Sequence, residues 1–131
     1  MVKESDRASM QGQYPYYGAS GIIDSINDFI FDDDLILLGE DGENIVSRNL
    51  PLVFKVSGKC WVNNHAHVLK PKSPYILDFL VHYMESLSYI KYNSGGGQPK
   101  LNQAVCKTIP LILPKPTEQH KIAACLSEVM G

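Results

Sequence analysis

The residues best equipped for chemistry stand in one short run, Cys60-Trp-Val-Asn-Asn-His65-Ala-His67. On an extended chain His65 and His67 share a face and could ligate one metal, but Cys60 falls on the opposite face and no acidic residue lies within the run. They therefore read as polar groups hydrogen-bonded within a sheet, and no metal site is expected. Cys60 or Cys106 acting with a histidine would make a small Cys/His hydrolase. Neither cysteine sits in a recognisable nucleophile motif, and a buried inert thiol is the commoner fate. Asp32-Asp33-Asp34 and Glu40-Asp41-Glu43 have the chemistry for Mg²⁺ or Ca²⁺ but not the spacing of an EF-hand, so they read as solvated hairpin tips.

Ser94-Gly-Gly-Gly-Gln-Pro-Lys100 has the glycines of a phosphate-cradling loop in the wrong order. A Walker A loop follows a strand and runs through Gly-Lys-Ser/Thr into a helix, whereas this one follows a helical pattern and runs into Pro99-Lys100-Leu101. It reads as a flexible connector, or as a mobile loop carrying Gln98, Lys100 and Asn102 toward a phosphate backbone or a base edge. Tyr14, Tyr16, Tyr17, Tyr89 and Tyr92, with Lys91 and Lys100 near some of them, suit the same task through stacking and phosphate pairing.

The elements that position these groups are legible in outline. Residues 1–13 read as a polar, poorly ordered lead-in, and Tyr14 to Gly21 as a bend between short extended pieces. Brief apolar runs at Ile22 to Ile26, Phe29 to Phe31 and Leu35 to Leu38, separated by Asn and Asp, predict hairpins. Pro51 to Val56 and Cys60 to Leu69 predict strands, the latter continuous. Ser73 and Pro74 open an amphipathic helix whose Ile76, Leu80, Tyr83, Leu87 and Ile90 recur over four to five turns. Asn102 caps a short helical turn ending near Lys107. Ile109 to Leu113 predicts an edge strand broken by Pro110, and Thr117 starts a final helix with Ile122, Leu126 and Val129 on one stripe.

The chain has 131 residues, enough for one domain with a real core. No apolar run approaches a membrane span and the first ten residues hold no signal peptide, so a cytoplasmic protein is expected. Three cysteines without CxxC spacing fit reduced thiols. The net charge of -2 speaks against a nucleic-acid binder, yet it is unevenly placed. Residues 1–50 carry three Lys/Arg and ten Asp/Glu, a balance of -7, and residues 51–131 carry nine Lys and four Asp/Glu, a balance of +5. Whether Lys55, Lys59, Lys70, Lys72, Lys91, Lys100 and Lys107 share a face decides how that surplus acts.

Five stretches taken in order resemble the target-recognition domain of the specificity subunit of type I restriction-modification systems. They are Tyr14-Pro-Tyr-Tyr-Gly-Ala-Ser-Gly-Ile-Ile23, Leu38-Gly-Glu-Asp-Gly42, Gly58-Lys-Cys-Trp-Val-Asn-Asn-His-Ala-His-Val-Leu69, Ser94-Gly-Gly-Gly-Gln-Pro-Lys-Leu-Asn102, and Ile109-Pro-Leu-Ile-Leu-Pro114 leading to Glu118-Gln-His-Lys-Ile-Ala123. The resemblance covers nearly the whole chain from residue 14. It implies an α+β domain, an antiparallel-rich sheet with one long amphipathic helix, at residues 14–116, then a spacer helix beginning at 117–131 that in complete subunits packs against its counterpart from a second recognition domain.

It also implies partners: duplex DNA, a modification subunit that methylates adenine, and a restriction subunit. This chain has no Asp/Asn-Pro-Pro-Tyr/Phe motif, Walker A motif or cofactor loop, so no cofactor and no enzymatic activity of its own are expected. Complete specificity subunits carry two recognition domains and this sequence holds one, so a fragment, a degenerate product or a half-subunit is expected. A pair joined through Ile122, Leu126 and Val129 would present two half-sites. The DNA contacts expected from loop position and chemistry are Tyr16, Tyr17, Lys91, Gln98, Lys100 and Asn102, with lysines on phosphates and the amides on adenine edges. The competing expectation is an assembly or dimerisation module that does not bind DNA by itself.

Overall fold

A computed structural model describes residues 2–72, 76–95, 97–111, 113 and 115. The fold is α+β, as expected, with two antiparallel-rich sheets and short helices. A helical turn, α1 (Glu4–Arg7), leads into β1 (Gln11–Gly18), which turns back on β2 (Gly21–Ile26). The turn uses Gly21 at φ +140°, a conformation costly for any residue with a Cβ. β1 also pairs in parallel with β6 (Lys59–Val62), which pairs on its other side with the two-residue β3 (Phe31–Asp32), giving the order β2-β1-β6-β3. The second sheet is β5-β4-β7: β4 (Leu35–Gly39) lies between β5 (Val53–Val56) and β7 (Ala66–Leu69), antiparallel to both.

Every residue of β4 is buried. Because strand side chains alternate between faces, Ile36 and Leu38 enter one apolar cluster with Ile45, Leu52, Leu80, Met84, Tyr89 and Leu101, while Leu35 and Leu37 enter another with Val56, Cys60 and Val62. The first cluster receives the helix α3 (Leu77–Ser86) and the second joins β4 to β6 of the other sheet. An apolar strand buried on both faces produces such an uninterrupted run in sequence.

The continuous strand expected from Cys60 to Leu69 is two strands in different sheets. Asn63 breaks it: its Oδ1 accepts the His65 amide at 2.8 Å, an Asx turn that competes with the ladder. The amphipathic helix is also shorter than its stripe implies. Leu87 is extended and Ile90, in a 3₁₀ turn at Ile90–Tyr92, is exposed. Ser86 and Ser88 are weak helix formers, and the Arg48 guanidinium takes the Glu85 and Leu87 carbonyls, anchoring the end of the helix from outside. Arg48 caps the short α2 (Asn44–Ser47) at φ +53°, and its other bond is to the Glu85 carboxylate, which also accepts the amides of Leu52 and Val53.

The polar lead-in belongs to the fold. Arg7 lies 4.9 Å over the Tyr16 ring and 3.6 Å from the Asp24 carboxylate, and a Cβ at Gly12 would collide with the backbone of Asn27. Residues 109–111 and 113 form no strand. Pro110 cannot donate to a ladder, and Ile109 and Leu113 pack on the first cluster instead. The start of the amphipathic helix at Ser73 and Pro74, and the final helix with Ile122, Leu126 and Val129, lie outside the described residues.

Candidate nucleic-acid interface

Three of the stretches that carry the family resemblance meet in one hydrogen-bonded junction. The loop after β4 lies between the other two: Glu40 donates its amide to the His65 carbonyl at 2.9 Å and accepts the Leu101 amide. Asp41 forms an isolated antiparallel bridge with Lys100, and the Gly42 amide donates to Pro99 at 2.9 Å. Side chains reinforce the backbone. His65 Nδ1 lies 2.9 Å from the Asp41 carboxylate and His67 Nε2 lies 2.6 Å from the Leu101 carbonyl. Both acceptors lack a proton, so the rings must donate, from Nδ1 in His65 and from Nε2 in His67. The two histidines thus satisfy hydrogen bonds in and beside the sheet, as their spacing suggested. Among the described residues no three His, Cys, Asp or Glu side chains gather as a metal-binding group.

The glycine-rich loop leaves this junction and returns to it. Asn93 Oδ1 accepts the amides of Gly95 at 3.0 Å and Lys100 at 2.9 Å, while the Ser94 amide donates to the Lys100 carbonyl at 2.7 Å. Immediately after it, Asn102 Oδ1 accepts the Val105 amide at 2.8 Å and caps α4 (Gln103–Cys106), the short helical turn expected there. The loop is closed at its root, and Gly97, Gln98 and Lys100 are exposed.

The six expected contact residues are placed unequally. Lys91, Gln98 and Lys100 are exposed on the one segment 90–102, with Lys91 Nζ 5.1 Å from the centre of the Tyr92 ring. Asn102 has spent its carbonyl oxygen on the cap, so it lacks the free oxygen and nitrogen pair that reads an adenine edge. Tyr16 is 1% exposed, covered by Arg7, with its hydroxyl on the backbone of Val2, and offers no face for stacking. Tyr17 is half-buried against Phe54 at 6.0 Å, and burial raises its phenol above the usual range. Sequence reasoning missed Asn93. Its only signal was an Asn two residues before a glycine, the spacing of an Asx turn.

All seven lysines of the basic half named above are exposed, but four are engaged. Lys55 bridges Asp78 at 3.1 Å, Lys70 bridges Asp33, Lys59 lies over Phe29, and Lys91 lies over Tyr92. The Lys70 pair joins the acidic half of the sequence to the basic half, and it holds the Asp33 carboxyl below the usual range. Burial, with Glu40 nearby, pushes the Cys106 thiol up to about 11, and burial, with Asp32 nearby, raises that of Cys60. Both stay protonated at neutral pH, the wrong state for a nucleophile.

The family described as the type I restriction modification DNA specificity domain matches residues 2–131. A curated Haemophilus influenzae protein carrying the name type I restriction enzyme specificity subunit S.HindORF215P is 34% identical over 125 residues, which are 95% of this chain and 31% of that protein. The chain thus spans about a third of the length of that relative. A match across essentially every residue, on a fold that draws the resembling stretches together, means that the chain belongs to the type I restriction-modification DNA specificity domain family.

Proposed function

We propose that this domain reads one half-site of duplex DNA through the outer face of segment 90–102 and, in the assembled system, guides the adenine methyltransferase and restriction subunits. The observation that carries the reading is the closed glycine-rich loop with Lys91, Gln98 and Lys100 exposed along it. In this reading the two lysines neutralise phosphates, which fixes register without reading sequence, and Gln98 presents an amide to a base edge. Tyr17 adds at most the exposed rim of its ring. The domain contributes no catalytic group of its own, a reading supported by two thiols held protonated and by histidines already spent on structural bonds. A cytoplasmic location accords with these partners, and among the described residues no helix is long and apolar enough to cross a membrane.

Two lysines on phosphates give a logarithmic salt slope of about -2, so affinity falls roughly tenfold between 50 and 200 mM salt. Titrating a labelled duplex library with the full chain, with and without the modification subunit, tests this. The expected result is weak, salt-dependent binding that tightens with the subunit, and a slope that drops by about 1 in Lys100→Ala. Affinity unaffected by both salt and subunit overturns the reading.

A further inference from the structure

One atom holds both ends of the glycine-rich loop. Asn93 Oδ1 accepts the Gly95 amide at 3.0 Å and the Lys100 amide at 2.9 Å, and the Ser94 amide reaches the Lys100 carbonyl at 2.7 Å. Ser94 Oγ donates to that carbonyl at 3.2 Å and accepts the Asn102 amide at 3.4 Å. The backbone is also folded tightly on itself, because a Cβ at Gly95 would run into the Gln98 carbonyl and come within 3.0 Å of the Lys100 nitrogen. A chain this rich in glycine samples many conformations unless something selects one. Between Ser94 and Lys100 only Pro99 carries an apolar side chain, and it is only partly buried, so the selection falls mainly to polar bonds.

We propose that Asn93 is the positioning residue for DNA readout: by accepting two loop amides at once it fixes where Gln98 and Lys100 stand, and so sets sequence discrimination without touching DNA itself. The proposal rests on the DNA reading given above. Preorganisation predicts which quantity moves. Contacts to a base edge need the loop in one geometry, whereas lysines on flexible stems reach phosphates from many. Loss of the staple therefore lowers discrimination and spares the salt slope.

The test uses the full chain with its modification subunit. A random duplex library is put through selection, and affinity is then compared between a selected duplex and a shuffled one of the same composition. In Asn93→Ala the ratio of the two affinities should fall about tenfold, the scale of one or two hydrogen bonds, with the salt slope and melting temperature unchanged. Asn93→Asp keeps an oxygen that accepts both amides and adds a negative charge, so it should keep the ratio while weakening both duplexes alike. Amide hydrogen exchange at Gly95 and Lys100 should quicken in Asn93→Ala and not in Asn93→Asp. An unchanged ratio in Asn93→Ala, or an equal loss in both variants, overturns the role of Asn93. A wild-type chain that selects no motif overturns the DNA reading and this proposal together, and the exchange data then report separately whether the staple exists.

Discussion

Strand β4 and the segment 93–102 show two ways of holding a chain in place. β4 exposes nothing and divides its leucines and isoleucine between two apolar clusters. In segment 93–102 Leu101 is the one fully buried residue among those described, and the rest is tied by amides, carbonyls and two asparagine oxygens. Burial is non-directional and collectively strong, so β4 underwrites stability. Hydrogen bonds exposed to water contribute little net stability but are directional, so they choose one loop geometry among many. A domain that must stay folded while presenting a defined loop uses both.

That division fails if substitutions in the two regions cost alike. The largest effect is expected for Leu37→Ala at a fully buried site, which should lose about 3 kcal/mol in urea unfolding and drop the midpoint accordingly. A loss as small as that of a loop variant would break the comparison. Glu85→Ala comes next, because its carboxylate accepts Arg48 and the Leu52 and Val53 amides at the seam between α3 and β5. It should cost about 2 kcal/mol, with Glu85→Gln costing less since one acceptor oxygen remains. Asn102→Ala removes the α4 cap and should cost about 1 kcal/mol, while Asn102→Asp restores it.

The smallest effect is set by pH. Cys106 titrates near 11 in the fold against an ordinary value of 9.0, so the unfolded chain sheds its proton first as pH rises. Its contribution is complete below pH 9 and is lost as pH rises through 11. The thermal midpoint should therefore fall less steeply between those limits in Cys106→Ser than in the wild type.

Local patterns in the sequence revealed the local elements. The apolar run of β4 and the Asn102 cap depend on neighbours within a few residues. By contrast Tyr14 to Gly18, expected to bend, run through β1 with Pro15 paired to Ser25. The runs at 22–26, 29–31 and 35–38 form no hairpins with one another, because β2 pairs with β1, β3 with β6, and β4 with β5 and β7. The misread elements were decided from farther away or by one polar side chain. Periodicity ran the helix past Ser86 because nothing nearby shows that Arg48 will take its last carbonyls. Alternation ran a strand through Asn63 because the period ignores an Asx turn. The polar start of the chain looked loose because Arg7 finds Tyr16 and Asp24 only after β1 and β2 have paired. The basic surplus was legible as a total, but its engagement by Asp33 and Asp78 was not. At the candidate interface, residue chemistry indicated Lys91, Gln98 and Lys100, whereas the junction that supports two of them requires residues 40–42 to meet 99–101.

The bonds between Glu40 and Leu101 and between Gly42 and Pro99 join main-chain atoms only. Such a seam is indifferent to which side chains stand at positions 97 and 98, provided that the loop keeps its length, the Asn93 oxygen and the bare Cα at Gly95. On the DNA reading proposed above, positions 97 and 98 can therefore vary without rewriting the scaffold that holds them, and a change of target need not begin with a change of fold.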